Sequence, residues 1–83
     1  MTTPIVVPPM GCPNQDLTVS LWLARVGEQV IAGDRVVELL MPGIIFDVES
    51  SCSGTIASYE CQPGTKVREG NVLGWIEPEQ IDS

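Results

Sequence analysis

The groups in this chain that could do covalent or acid–base chemistry are few. Three thiols are present, Cys12, Cys52 and Cys61, with no CxxC pair among them. An odd count at uneven spacing argues against a disulfide framework or a zinc knuckle and for reduced thiols in a reducing compartment, each acting as a small half-buried hydrophobe. Histidine is absent, which removes Ser-His-Asp and Cys-His catalysis and every histidine-containing metal site. Asp47 and Glu49 share one strand face and are the nearest approach to paired carboxylates. With no proton-transfer partner beside them they read as solvated charges. Lys66 is the only lysine, so it is the only amine that a side chain offers. No catalytic residue and no metal ligand set emerges, and the chain is not expected to be an enzyme.

Charge narrows the partners. Four Lys and Arg residues against 11 Asp and Glu give a net charge of −7. Nucleic acid and anionic membrane surfaces both require clustered cations, so neither is expected as a partner. No apolar run approaches the roughly 18 residues that a membrane span needs. The start, MTTPIVVPPMG, lacks the basic region of a signal peptide. A cytoplasmic monomer is the expectation. The 83 residues suffice for one small domain, 1–83, with a compact core.

Eight glycines and seven prolines interrupt every helix-period stripe before it reaches three turns. Alternation with period two survives instead. Ile44, Phe46 and Val48 alternate with Ile45, Asp47 and Glu49, one face buried and the other wet. Leu17, Val19, Leu21 and Leu23 alternate with Thr18, Ser20, Trp22 and Ala24, with Trp22 hinting at a bulge. Further strands are predicted near 5–8, 36–41, 54–60 and 72–77, and shorter ones near 29–31 and 66–68. The chain is therefore all-β.

An internal repeat organises these strands. A shift of 37 residues, the distance from Gly27 to Gly64, also carries Thr18 onto Thr55, Val19 onto Ile56 and Trp22 onto Tyr59. The same shift superposes Val30 on Val67, Gly33 on Gly70, Asp34 on Asn71 and Leu39 on Ile76. Each half reads strand, glycine turn, valine, Gly-(Asp/Asn) turn, strand. Asp34 and Asn71 are expected to brace the second turn by side-chain hydrogen bonds to the backbone. Two halves that cannot each bury a face alone imply interleaved sheets about a pseudo-twofold axis.

These residues resemble the lipoyl/biotinyl carrier domains, in particular the lipoyl domains of 2-oxo acid dehydrogenase acyltransferases. Pro8-Pro9-Met10-Gly11 is similar to that family's opening P-x-(L/M)-G. Asp16, Thr18, Val19, Trp22 and Leu23 follow at the family's spacing. Val26-Gly27-Glu28-Gln29-Val30 and Gly33-Asp34 resemble its V-G-D-x-V and G-D turns. Ser50, Gly54, Pro63-Gly64-Thr65-Lys66-Val67 and Gly70 resemble its second half. The resemblance runs over about residues 5–77, leaving a short acidic tail. It implies a flattened barrel, or barrel-sandwich hybrid, of two four-stranded antiparallel sheets.

The chain departs from the family where the family does its chemistry. Carrier domains present a lysine at a hairpin tip, within E-T-D-K-A or A-M-K-M, for amide linkage to lipoate or biotin. Here the corresponding stretch runs from Glu38 through Met41-Pro42-Gly43-Ile44 to Asp47-Val48. Anchored on its ends, Pro42 falls on the aspartate and Gly43 on the lysine. Pro-Gly is the preferred central pair of a type II turn, so the tip is well specified but carries no nucleophile. Lys66 lies in the Pro63-Gly64 turn, where relatives carry an unmodified cation, and is not expected to hold a cofactor.

The resemblance thus implies a non-catalytic, lipoyl-like interaction module associated with a 2-oxo acid dehydrogenase-type or related complex, with no cofactor expected. Two alternatives stand beside it: a lipoate or biotin carrier attached through an unconventional group, and a fold retained for an unrelated binding role. Relatives use the loop after the first strand in recognition by partner enzymes. A contact patch of Cys12, Asn14, Gln15, Met41, Pro42 and Ile44 is expected on that ground. The absence of an Ala/Pro-rich linker after Ser83 leads to the expectation of either a small independent protein or an excised piece, and Met1 favours the former.

Overall fold

The computed structural model describes residues 1–11 and 13–79. Within them lie eight strands: β1 (Thr3–Val6), β2 (Leu17–Trp22), β3 (Gln29–Val30), β4 (Arg35–Met41), β5 (Ile44–Glu49), β6 (Gly54–Tyr59), β7 (Lys66–Val67) and β8 (Val72–Pro78). They form two antiparallel four-stranded sheets, ordered β1-β8-β6-β3 and β5-β4-β2-β7. Replacing β1, β8, β6 and β3 by β5, β4, β2 and β7 converts the first order into the second. The repeat seen in the sequence is therefore a repeat of topology.

The two halves match down to individual hydrogen bonds. The N–H of Gly27 donates to the carbonyl of Ile56 at 2.8 Å, and that of Gly64 to the carbonyl of Val19 at 2.7 Å. Each turn thus binds the strand of the other half. Both glycines sit at φ near +90° (+92° and +94°), a left-handed conformation that a side chain resists. In the second turn of each half, Asp34 Oδ2 accepts from the Ile31 N–H at 3.0 Å and Asn71 Oδ1 from the Arg68 N–H at 2.8 Å. The expected bracing is present in both.

Between the sheets lies a core of branched aliphatic side chains. Leu17, Val19, Val36, Leu39, Ile56, Leu73 and Ile76 are all essentially inaccessible to solvent. Repeat-related pairs such as Val19 with Ile56 and Leu39 with Ile76 are buried together, as two interlocked halves require. Each such side chain contributes about 1.5–3 kcal/mol by leaving water.

Three local expectations are corrected. The alternation along β2 reverses midway: Leu17 and Val19 are buried, yet Leu21 and Leu23 are each 43% exposed, while Ala24 is buried. The cause is a bulge, for the β2–β4 register slips between Val19 and Leu21. An extra residue in one strand sends everything beyond it to the opposite face. The equivalent slip in the β6–β8 ladder falls between Ile56 and Ser58.

The first strand spans Thr3–Val6 rather than 5–8. Pro8 and Pro9 cannot donate to a ladder, and Val7 is instead held by the β7–β8 turn, through Asn71 and Gly70. Pro4 is tolerated because β1 is an edge strand. The third correction is at Ile44, which is 53% exposed although Phe46 and Val48 keep to the inner face. As the first residue after the Pro42-Gly43 turn, it projects past the end of the core.

Candidate functional site

The β4–β5 hairpin is tight and keeps an unbroken register from the Val37–Val48 pair to its tip. Met41 pairs with Ile44, and Leu40 with Ile45. That leaves Pro42 and Gly43 as the two turn residues. Gly43 has φ +77°, the value that the third position of a type II turn demands after proline. Pro42, Gly43, Ile44 and Ile45 are all exposed, whereas Met41 packs against the core. The tip is thus a tight, apolar turn without an ionisable group. No side-chain amine stands on it, so its residues do not fit an amide-linked acyl group.

Other elements converge on the same end of the β5-β4-β2-β7 sheet. Thr18 lies opposite Leu40 on one side and Lys66 on the other. Counting outward along these strands, the entry to β2 and the exit from β7 reach the level of the hairpin tip. Asp16 and Arg68 meet there, with Arg68 Nε donating to Asp16 Oδ1 at 2.7 Å. This charged hydrogen bond, with the Coulomb attraction of the same guanidinium, holds the Asp16 carboxyl below its ordinary value of 3.8; Lys66 adds a smaller effect in the same direction. Beside them the N–H of Met10 donates to Glu69 Oε2 at 2.9 Å, tying the β1–β2 loop to the β7–β8 turn.

Of the residues expected in a contact patch, Met41, Pro42 and Ile44 form the hairpin tip. Asn14 is exposed and Gln15 half-buried in the β1–β2 loop, with Gln15 donating from its amide to the carbonyl of Asp16 at 3.1 Å. Loop and tip share one end of the sheet, and the loop is tied to the β7–β8 turn by Val7 with Asn71 and Gly70 and by Met10 with Glu69. Cys12 lies outside the described residues. Ile45 was not singled out from the sequence, although it is 65% exposed. The signal was available: two successive isoleucines in an alternating strand cannot both face the core.

The remaining reactive groups are quiet. Lys66 is exposed on the edge strand β7, across the sheet from β5. Asp47 lies 3.8 Å from Arg35 in a long, partly exposed ion pair. Cys52 and Cys61 are free, half-buried and packed against the core. Burial pushes the Cys61 thiol up from its ordinary value, and the neighbouring Glu60 carboxylate adds to the shift. Among the described residues no cluster of three acidic or cysteine side chains is arranged to hold a metal ion.

Several known proteins share this architecture. The chain is 28% identical over 80 residues to the dihydrolipoyllysine-residue succinyltransferase component of the 2-oxoglutarate dehydrogenase complex of Buchnera aphidicola, covering 95% of this chain and 20% of that protein. The component of the same description from Bartonella vinsonii is 31% identical over 77 residues, 93% of this chain and 19% of that one. The chain spans about a fifth of the length of these curated relatives. In structure it is similar to the lipoyl domain of the 2-oxoglutarate dehydrogenase complex from Azotobacter vinelandii. There the TM-score is 0.68 at 26% identity, with 90% of this chain and 99% of that one covered. The model of the biotin/lipoyl family, described as biotin-requiring enzyme, matches residues 3–76. Nearly the whole fold falls within that match, and the chain belongs to the biotin/lipoyl family.

Proposed function

We propose that this domain is a lipoyl-type module without a modifiable lysine, serving as a non-catalytic protein-interaction unit of a 2-oxo acid dehydrogenase-type or related complex. The observation that carries the reading is Gly43, a glycine at φ +77° on the hairpin tip where a carrier would need an amine. The only lysine, Lys66, belongs to a two-residue strand on the far edge of the sheet. Relatives described as components of 2-oxoglutarate dehydrogenase complexes support the choice of partner class. Met41, Pro42 and Ile44 on the tip, with Cys12, Asn14 and Gln15 of the β1–β2 loop, are the proposed contact residues. A tight apolar Pro-Gly turn, already formed, has little backbone freedom to lose on binding, which suits recognition. Reduced thiols support a cytoplasmic setting.

The test is an intact-mass spectrum of the protein isolated from its own cells, joined to a pull-down from the same lysate. An unmodified mass with recovery of dehydrogenase subunits is expected. A lipoyl- or biotin-sized adduct would replace this reading with that of a carrier. An unmodified mass with no dehydrogenase subunit recovered would move the fold to an unrelated binding role.

A further inference from the structure

A four-stranded open sheet has two edges, so the described residues present four: β1 and β3 on one sheet, β5 and β7 on the other. An unblunted edge offers a row of unpaired N–H and C=O groups to any passing strand. Three of the four are blunted here. β3 and β7 are two residues long. β1 has four residues, contains Pro4, and breaks register between Ile5 and Val6. β5 is the least protected, because its ladder with β4 slips only at one end, between Arg35 and Val37. It is six residues long, holds neither proline nor glycine, and keeps an unbroken ladder with β4 from Ile44 to Val48. Its outward face carries Ile45, 65% exposed.

There is room beside this edge. A cleft of about 380 Å³ separates β5 from β1, with Asp47, Val48 and Glu49 on one wall and Pro4, Ile5 and Val6 on the other. A strand laid along β5 would occupy it. Alternation then dictates the chemistry of that strand. Side chains turned inward toward the cleft lie beside Val48 and Ile5, which are apolar. Side chains on the other face meet Asp47 and Glu49. Among the described residues Asp47 has an ion pair with Arg35, itself 71% exposed and 3.8 Å away, so the arginine is easily displaced.

We propose that the outer edge of β5 is a strand-addition site for an extended segment of a partner protein in which lysine or arginine alternates with apolar residues. Backbone hydrogen bonds supply the affinity and the alternating side chains the specificity. A second copy of this chain is disfavoured as occupant. Pairing β5 with itself would crowd Asp47 and Glu49 of both copies on one face, and each chain carries a net charge of −7. The proposal deepens the interaction-module reading and rests on it for its biology. A cofactor adduct found by mass would overturn that reading while leaving the β5 measurement untouched.

The experiment uses the intact, isotope-labelled protein and a capped peptide of about six residues alternating lysine and valine. Amide hydrogen exchange is followed residue by residue. Alternate amides of residues 44–49 are expected to exchange at least about tenfold more slowly with saturating peptide. Asp47→Lys with Glu49→Lys should weaken binding about fivefold or more, and an alternately N-methylated peptide about tenfold or more. Equal binding of the N-methylated peptide would overturn the proposal, because side chains alone would then be recognised. Equal binding of a glutamate–valine peptide, or no response at millimolar lysine–valine peptide, would overturn it too. Protection of the same amides that grows with protein concentration without peptide would assign the edge to a second copy instead.

Discussion

Trp22 and Tyr59 stack on one another with ring centroids 4.1 Å apart and planes 12° from parallel. They occupy the same position in the two halves of the repeat, so their contact lies on the pseudo-twofold axis. Their polar tips are exchanged in the same way. Trp22 Nε1 donates to the carbonyl of Cys61 at 2.8 Å, and the Tyr59 hydroxyl donates to that of Ala24. Ala24 and Cys61 are themselves repeat-related. One aromatic pair therefore pins each half to the other by dispersion and by two reciprocal hydrogen bonds.

This clasp should dominate the response to mutation. Trp22→Ala is expected to cost about 3–5 kcal/mol, and Tyr59→Phe, which removes only the bond to Ala24, about 1 kcal/mol. Gly74 lies beneath the indole: a Cβ there would stand 2.8 Å from Trp22 Cη2 and 2.7 Å from the Ser58 carbonyl. Gly74→Ala should therefore destabilise by about 1–3 kcal/mol. Urea unfolding of the three variants measures all of these, and a neutral Gly74→Ala would contradict the packing.

Rebuilding the hairpin asks whether the scaffold is a carrier in all but one side chain. Gly43→Lys alone places a lysine at positive φ, at a cost of about 1 kcal/mol; no atom lies within 4 Å of the added Cβ. Pro42→Asp together with Gly43→Lys relaxes the turn and presents Asp-Lys between Met41 and Ile44. Incubation of this double variant with a lipoate ligase is expected to give a lipoyl-sized mass increase. A folded but unmodified variant, beside a fully labelled control domain, would show that the position of Gly43 is not that of an attachment lysine.

Acid should loosen the hairpin end through Asp16. Its carboxyl titrates below 3.8 in the folded protein because of Arg68. The contribution to stability is thus complete above the unfolded-state value and is lost as the pH falls through the lower folded value. Carboxyl-carbon NMR titration should find the Asp16 midpoint depressed in the native protein. In Arg68→Gln it should return toward 3.8. An unchanged midpoint would mean that the ion pair does not persist in solution.

The thiols offer a further check. Burial and Glu60 raise the Cys61 thiol, so the native protein should be alkylated at Cys61 more slowly than an unfolded peptide at the same pH. Unfolding without reductant should make all three cysteines reactive. Recovery of a single reactive thiol would reveal a disulfide and exclude the reduced state.

Much of this protein was legible in the chain because it is local. Left-handed turns need glycine, Asx turns need Asp34 or Asn71, and a Pro42-Gly43 pair makes a hairpin tip wherever it is flanked by strands. The 37-residue repeat of such signals relates three strands of one half, β2, β3 and β4, to β6, β7 and β8 of the other. What the sequence left open depends on residues far apart in it. Trp22 hints at a bulge, but only the pairing with β4 places it between Val19 and Leu21 and so turns Leu21 and Leu23 outward, since a slip of one residue reverses every side chain beyond. The meeting of Asp16 with Arg68, and of Met10 with Glu69, follows from strand register across the sheet. Whether a strand is an open edge is set by its neighbours in space, and β5 acquires that character only when the sheet stops beside it.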